Sequence, residues 1–197
     1  AVNLFFSMEM TAKELHEKHI QRIYGRRIWD KNQDGTPNPR FSEAADRVQA
    51  WHRAQVGKLF IDQRGGVTVD QIRSRVMEAE AETGRKVLCV VIDQYDKIQA
   101  KKISSDDWRN AKGINVELNS LAKELDVCIL CLIQINKKAR PDDGWYDSSH
   151  IFGTSGPEQD AGQVWILQRY PDAPYDGEEV RCRLLRDKCR GGTPGLP

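Results

Sequence analysis

The sequence contains no Gly-x-x-x-x-Gly-Lys-Ser/Thr segment anywhere in its 197 residues, so it lacks the loop whose backbone N–H groups cradle nucleotide phosphates. It has no run of about 18 apolar residues, the length that crosses a bilayer as a helix, and no basic stretch leading through an apolar run to a small-residue cleavage site. Neither a membrane span nor a secretory signal is expected, and a cytoplasmic setting is. Charge of one sign is in no excess. The 30 Lys and Arg face 29 Asp and Glu, so the whole chain exerts almost no pull on a polyanion, and any nucleic-acid contact must come from local patches. No aromatic-rich strip for stacking bases is present either, although Trp145 and Tyr146 stand together in one loop. The five cysteines are an odd number. Cys89, Cys128, Cys131 and Cys182 lie in apolar or alternating segments, where a free thiol behaves as a small buried hydrophobe. Cys128 and Cys131 have redox or zinc spacing, but on a strand they face opposite sides and no second pair answers them. Reduced packing thiols are the expectation.

What the chain does have is apolar strands that stop on an acid. Residues 2–7 run into Met8-Glu9-Met10, and residues 87–92 run into Asp93. Continuously apolar strands read as central strands of a parallel sheet, covered on both faces. The C-terminal edge of such a sheet is where open α/β folds bind ligands. A carboxylate fixed there can hold a magnesium ion or orient a water against a phosphate.

Helical and strand patterns alternate along the chain. Thr11 with Glu14 forms a capping box before Leu15, His19, Ile20 and Ile23. Residues 25–40 read as a loop, and Ser42 as the cap of a helix carrying Val48, Trp51 and Val56. A short strand is expected over residues 58–62. Thr68 and Gln71 then open a helix that Gly84 closes. After the Asp93 strand come a polar stretch over 97–107, a helix with Ile114, Leu118, Leu121 and Leu125, and a third apolar strand over 127–135. A long polar loop over 136–157 follows, of a length that is often functional. Two last strands are expected over 163–167 and 180–185. The alternation predicts βαβ crossovers around a mostly parallel sheet in one domain over residues 1–197.

Each candidate site has a plainer reading beside it. An acid ending an apolar strand is common in proteins, so Asp93 and Glu9 gain weight only if neighbouring strands bring them to one edge. Gln134, ending the third strand, could bond a terminal phosphate or be a chance polar residue. Arg186-Asp187-Lys188-Cys189-Arg190 places cations just after a strand; such a run is usually solvated surface, but it could also reach the nucleotide of a neighbouring subunit. Two basic segments could meet a nucleic-acid backbone: Lys97, Lys101, Lys102 and Arg109, then Lys137, Lys138 and Arg140, both diluted by acids. Asp30 to Gly35 imitates the start of a calcium loop, but Phe41 stands where a bidentate Glu is needed, which leaves a polar turn. His16 and His19 share a helix face with no third ligand apparent nearby, so a surface or packing role is expected.

Taken together, the pattern resembles the ATPase domain of the replicative hexameric DNA helicases of bacteria and phages, the DnaB-like branch of the RecA-type fold. Residues 5–10 are similar to the family's strand carrying the water-activating glutamate, which implies that role for Glu9. Residues 91–96 resemble its Walker B strand, which implies Asp93 as the carboxylate acting on Mg2+. Residues 121–125 leading to 132–136 resemble the segment ending in the phosphate-sensing glutamine, Gln134. Glu158-Gln159-Asp160-Ala161 matches the acidic signature after the DNA-facing loop, and Lys188-Cys189-Arg190-Gly191-Gly192 matches the Lys-x-Arg-x-Gly element, implying Arg190 as a trans-acting finger with Lys188 as its companion.

The resemblance implies an α/β, RecA-like P-loop NTPase fold whose first strand and phosphate loop lie upstream, so that the domain is incomplete at its N-terminus and also at its C-terminus. It further implies ATP and Mg2+ as cofactors, single-stranded DNA as partner, and a homo-oligomeric, hexameric ring with primase and a helicase loader as further partners. The family's primase-binding domain and docking linker have no counterpart in this chain. Two departures bear on DNA binding. Residues 151–156 replace the usual Arg-Glu before Ser-Gly, and Asn136-Lys137 stands for an Asn-Arg pair, keeping the charge but losing the planar fork. Two alternatives stay open: a RecA-like recombination or regulatory ATPase that binds DNA without unwinding it, and a non-catalytic scaffold of the same fold.

Overall fold

The computed structural model describes residues 1–24, 31–32, 34–101, 107–136, 144–151, 156–170 and 182–190. Four parallel strands form the main sheet: β1 (Val2–Ser7), β2 (Leu59–Asp62), β3 (Val87–Asp93) and β4 (Cys128–Leu132), in the order β2-β1-β3-β4. Helices α1 (Ala12–Tyr24), α2 (Pro39–Ala54), α3 (Val69–Thr83) and α4 (Asp107–Leu125) make the crossovers. The short α5 (Gly156–Asp160) then leads into an antiparallel ribbon of β5 (Gln163–Arg169) and β6 (Cys182–Cys189).

Register decides which residues share a face. Leu4 pairs with Phe60 and Val90, and Val90 with Ile129; Phe6 pairs with Ile92, and Ile92 with Cys131. This row meets α3 and α4, and Leu4, Phe6, Val90 and Ile92 are buried with Ile72, Val76, Ala79, Ile114, Leu118 and Leu121. Each fully buried apolar side chain of this size contributes about 1.5–3 kcal/mol. The alternate row remains open: Ile61, Leu130 and Leu132 are 45%, 49% and 42% exposed. These open positions lie on the edge strands β2 and β4, while Phe5 and Val91 on the central strands β1 and β3 are half-buried on the same face. The continuous apolarity of the strands hides a strong difference between two faces.

Helix α3 begins and ends where its local signals stand. The Thr68 hydroxyl accepts from Gln71 N–H at 3.3 Å, and the Gln71 side chain accepts from Thr68 N–H at 2.8 Å. Gly84 ends the helix at φ 62°, a left-handed conformation that glycine adopts without a Cβ penalty. The second helix starts earlier than expected. α2 begins at Pro39 with Asn38 as its cap, whose side chain accepts from Arg40 N–H at 3.1 Å, so Ser42 lies inside the helix. Pro at the first helical position costs no hydrogen bond, and Asn38-Pro39 is therefore the start signal. α1 and α2 pack on each other through a small core of Ile20, Ala44 and Val48.

Three other features differ from expectation. The third strand spans only Cys128–Leu132, and Gln134 stands beyond it. β6 runs on to Cys189, so Arg186 and Lys188 are strand residues rather than residues following one. Cys128 and Cys182 are exposed and not buried, because they fall on open faces, while Cys131 points to the core side and burial pushes its thiol up to about 12. All five cysteines are free thiols. The turn after α1 is closed by Asn32 N–H on the Thr36 carbonyl at 2.8 Å, and the Asp34 carboxylate accepts from Thr36. No helix among the described residues is long and apolar enough to cross a membrane.

Candidate active site

Ser7, Asp93 and Leu132 occupy one row across β1, β3 and β4. Two residues further along lie Glu9 and Gln134, so Glu9, Asp93 and Gln134 stand at the C-terminal ends of three adjacent parallel strands. The pairing of β1 and β3 extends one step past the strand, with Met8 N–H donating to the Asp93 carbonyl at 2.7 Å. The buried Ser7 hydroxyl donates to the Met10 carbonyl at 2.8 Å. These two bonds fix both ends of the short turn that carries Glu9, which is exposed.

Asp93 is half-buried. Burial first, and then the Glu9 charge, raises its carboxyl above the usual aspartate range. Two carboxylates at one edge repel, and a cation placed between them relieves that repulsion. Lys97 already stands 3.9 Å from Glu9 Oε1 and 3.9 Å from Asp96. The segment after Asp93 is anchored by Tyr95, whose hydroxyl donates to Asn115 Oδ1 at 2.6 Å and lies 3.2 Å from the Ala111 carbonyl of α4. Among the described residues no group of three His, Cys, Asp and Glu side chains is arranged to hold a metal. Mg2+ needs no such cage, since it binds through one or two carboxylates with water and phosphate oxygens completing its shell. Asp93 fits that requirement.

Gln134 is exposed just beyond β4. One residue later, Ile135 bridges to Ile151, and Asn136 N–H donates to the His150 carbonyl at 2.8 Å, which draws the far part of the long loop back to this edge. Lys188 Nζ donates to the Glu158 and Gln159 carbonyls at 2.6 and 2.7 Å, and Arg190 donates to the Gln159 carbonyl at 2.9 Å. Both cations therefore rest on the C-terminal end of α5, where helix carbonyls lack internal partners and carry partial negative charge. Arg190 is exposed.

The basic segments divide. Lys101 Nζ bonds Asp70 at 2.7 Å, which raises its pKa. Lys101 and Arg109 line a cleft of about 400 Å³ with Asn110 and Glu117. Lys102, Lys137, Lys138 and Arg140 lie outside the described residues. His16 and His19 do have a third histidine beside them: His52 of α2 brings its Nε2 to 3.4 Å from His19 Nδ1, with Trp51 edge-on to His19. Burial and the neighbouring imidazoles lower the pKa of His19 and His52. Sequence spacing could not show this pairing across two helices.

Comparison with known proteins gives a consistent result. The model of the family described as "DnaB-like helicase C terminal domain" matches residues 1–195. The replicative DNA helicase DnaB of Mycoplasma pneumoniae is 26% identical over 98% of this chain and 42% of its own length. The replicative DNA helicase DnaC of Bacillus subtilis is 31% identical over 70% of this chain and 30% of its own. The chain thus spans less than half the length of these relatives. Among solved structures, a DnaB-like replicative helicase studied for its interactions with primase superposes with a TM-score of 0.81 at 22% identity, covering 98% of this chain and 46% of that one. A second solved structure, of an ATPase domain, superposes with a TM-score of 0.74 at 23% identity, covering 98% of this chain and 69% of that one. The mostly parallel sheet flanked by helices is the RecA-like fold of those structures.

Proposed function

Because the chain belongs to the DnaB-like helicase C-terminal domain family, we propose that it is the motor portion of a replicative DNA helicase, which couples ATP hydrolysis to translocation on single-stranded DNA and strand separation. Family membership supports the general helicase and ATPase role. The finer reading rests on one observation: register brings Glu9, Asp93 and Gln134 to one edge of three adjacent parallel strands.

In this reading Asp93 holds the Mg2+ that accompanies the nucleotide. Bound there, the ion neutralises charge on the phosphate oxygens. Glu9, on its fixed turn, orients a water and accepts its proton. The water oxygen bonds to the terminal phosphorus as the bond to the departing ADP oxygen breaks, leaving ADP and inorganic phosphate. Lys97, beside Glu9, offsets part of the negative charge gathered at this edge. Gln134 bonds the terminal phosphate and passes its loss to the loop that returns at Ile151. Arg190, with Lys188, serves the nucleotide of the neighbouring subunit in a ring. Lys101, Lys102, Arg109, Lys137, Lys138 and Arg140 contact the DNA backbone, while Lys97 serves the nucleotide edge instead, and such backbone contacts are independent of base sequence and weaken with salt.

The test is magnesium-dependent ATP turnover of the full-length protein with and without single-stranded DNA, comparing wild type with Glu9→Gln. The expected loss is about 10²–10⁴-fold in kcat with nucleotide binding retained, the range for removing a general base. Unchanged turnover in the variant contradicts the role of Glu9. No turnover in an assembled wild-type protein favours a scaffold.

A further inference from the structure

The end of β6 is tied at several points to the segment that precedes β5. Ser148 N–H donates to Asp187 Oδ2 at 3.0 Å, across 39 residues of sequence. Next to Asp187, Lys188 and Arg190 rest on the Glu158 and Gln159 carbonyls, and Arg190 N–H donates to the Gly162 carbonyl at 2.8 Å. Ser148 opens a single 3-10 turn, Ser148–His150, capped by Asp147, which accepts from Ser149 N–H at 2.8 Å. The first N–H groups of such a turn have no partner inside it. Asp187 supplies one, as a charge-assisted bond stronger than a neutral one.

The same turn reaches the sheet edge on its other side, through Asn136 N–H on the His150 carbonyl at 2.8 Å and the Ile135–Ile151 bridge. Gln168 of β5 adds a clamp, donating to the Gly144 carbonyl at 2.6 Å and accepting from Tyr146 N–H at 2.7 Å. A continuous run of bonds therefore leads from the residues just after Gln134, through His150 and Ser148, to Asp187 and its cationic neighbours.

We infer that Asp187 is a positioning residue that couples the long loop before α5 to the pair Lys188 and Arg190. The inference rests on the reading of that loop as facing DNA and of Arg190 as acting on a neighbour's nucleotide. Asp187 touches neither ligand and acts through Ser148. With the tether intact, a shift of the loop on single-stranded DNA moves the cationic end of β6 with it. Without the tether, the loop keeps its hold on the ribbon through Gln168 of β5, away from the end of β6. Occupancy of the DNA site then reaches the neighbouring nucleotide less strongly. An acid between cations in Arg186-Asp187-Lys188 otherwise reads as ordinary mixed surface charge.

The experiment uses the assembled full-length protein and its Asp187→Ala, Asp187→Asn and Arg190→Ala variants. ATP turnover is measured with and without an oligothymidylate, and affinity for the same oligonucleotide by fluorescence anisotropy. Asp187→Ala is expected to lower the DNA stimulation of turnover by about fivefold or more, the lower end of typical coupling between sites. DNA-free turnover, the KM for ATP and oligonucleotide affinity should stay within about twofold, as for a change outside both binding sites. Asp187→Asn, which keeps a side-chain carbonyl for Ser148 N–H, should restore most of the stimulation. The coupling role is overturned if Asp187→Ala keeps its stimulation, or if turnover with and without DNA falls in parallel, as a merely structural role would produce. Unchanged turnover in Arg190→Ala removes the reading of Arg190 and the inference with it. Lost turnover there, beside retained stimulation in Asp187→Ala, removes the coupling alone.

Discussion

Glu9 and Asp93 stand at the ends of strands that enter the main core, while Lys188 and Arg190 stand at the end of a two-stranded ribbon with an exposed apolar face. The first pair is positioned by parallel register and by buried neighbours such as Phe6 and Ile92. The second pair is positioned by capture of the Glu158 and Gln159 carbonyls and by the adjacent Asp187–Ser148 bond. An isolated two-stranded ribbon is marginal in water, and Trp165, Leu167 and Leu184 remain 43%, 71% and 58% exposed. Glu9 and Asp93 are thus held by the sheet itself. Lys188 and Arg190 are held by a ribbon with one face open, through bonds to the carbonyls of α5.

Removal of the exposed Arg190 guanidinium should have the greatest consequence. Arg190→Ala in the assembled protein should lower ATP turnover by about 10³-fold or more, the range for an arginine finger, while the melting temperature stays near wild type. Steady-state kinetics and thermal denaturation together check this. A comparison of packing comes next. Ile92→Ala should destabilise the protein by about 2–5 kcal/mol, since a fully buried isoleucine leaves a cavity. Leu184→Ala should stay within about 0.5 kcal/mol, as is usual for exposed sites. Urea unfolding of both variants measures the difference; equal losses would mean that the ribbon is as deeply packed as the sheet.

The smallest effect concerns pH. The Asp93 carboxyl is raised in the folded protein by burial and by Glu9. The folded state therefore binds its proton more tightly than the unfolded state, whose aspartate titrates near about 3.9. Stability from this group is present at low pH and is lost as pH rises through the raised pKa. Asp93→Asn should flatten that part of the stability profile and slightly raise the melting temperature at neutral pH. A steeper acid-side slope in the variant would contradict the assignment.

Much of this arrangement was legible in the chain because it is local. The Thr68–Gln71 capping box, Gly84 and the apolar runs ending at Ser7 and Asp93 each carry their own signal. Strand order does not, and the meeting of Glu9 with Asp93 depends on β1 lying beside β3. Binary apolarity also failed to separate the half-buried from the open row of β4, because Leu130 and Ile129 look alike in sequence. Contacts across large separations were unreadable: Ser148 with Asp187, His52 with His19, and Lys188 with the carbonyls of α5. A backbone carbonyl is a partner that every residue offers, so no residue type marks it.

Mixing two inactive variants decides whether the acids and the cations form one site shared between neighbouring subunits. Glu9→Gln and Arg190→Ala full-length proteins are each assayed alone, then dissociated, mixed in equal amounts and reassembled. Interfaces that join an intact Glu9 to an intact Arg190 then form only between unlike subunits. A shared site gives DNA-stimulated ATP turnover in the mixed rings well above that of either variant alone. Mixed rings that assemble, bind single-stranded DNA and remain as inactive as their parents would contradict it, because each site would then draw its acid and its arginine from the same chain.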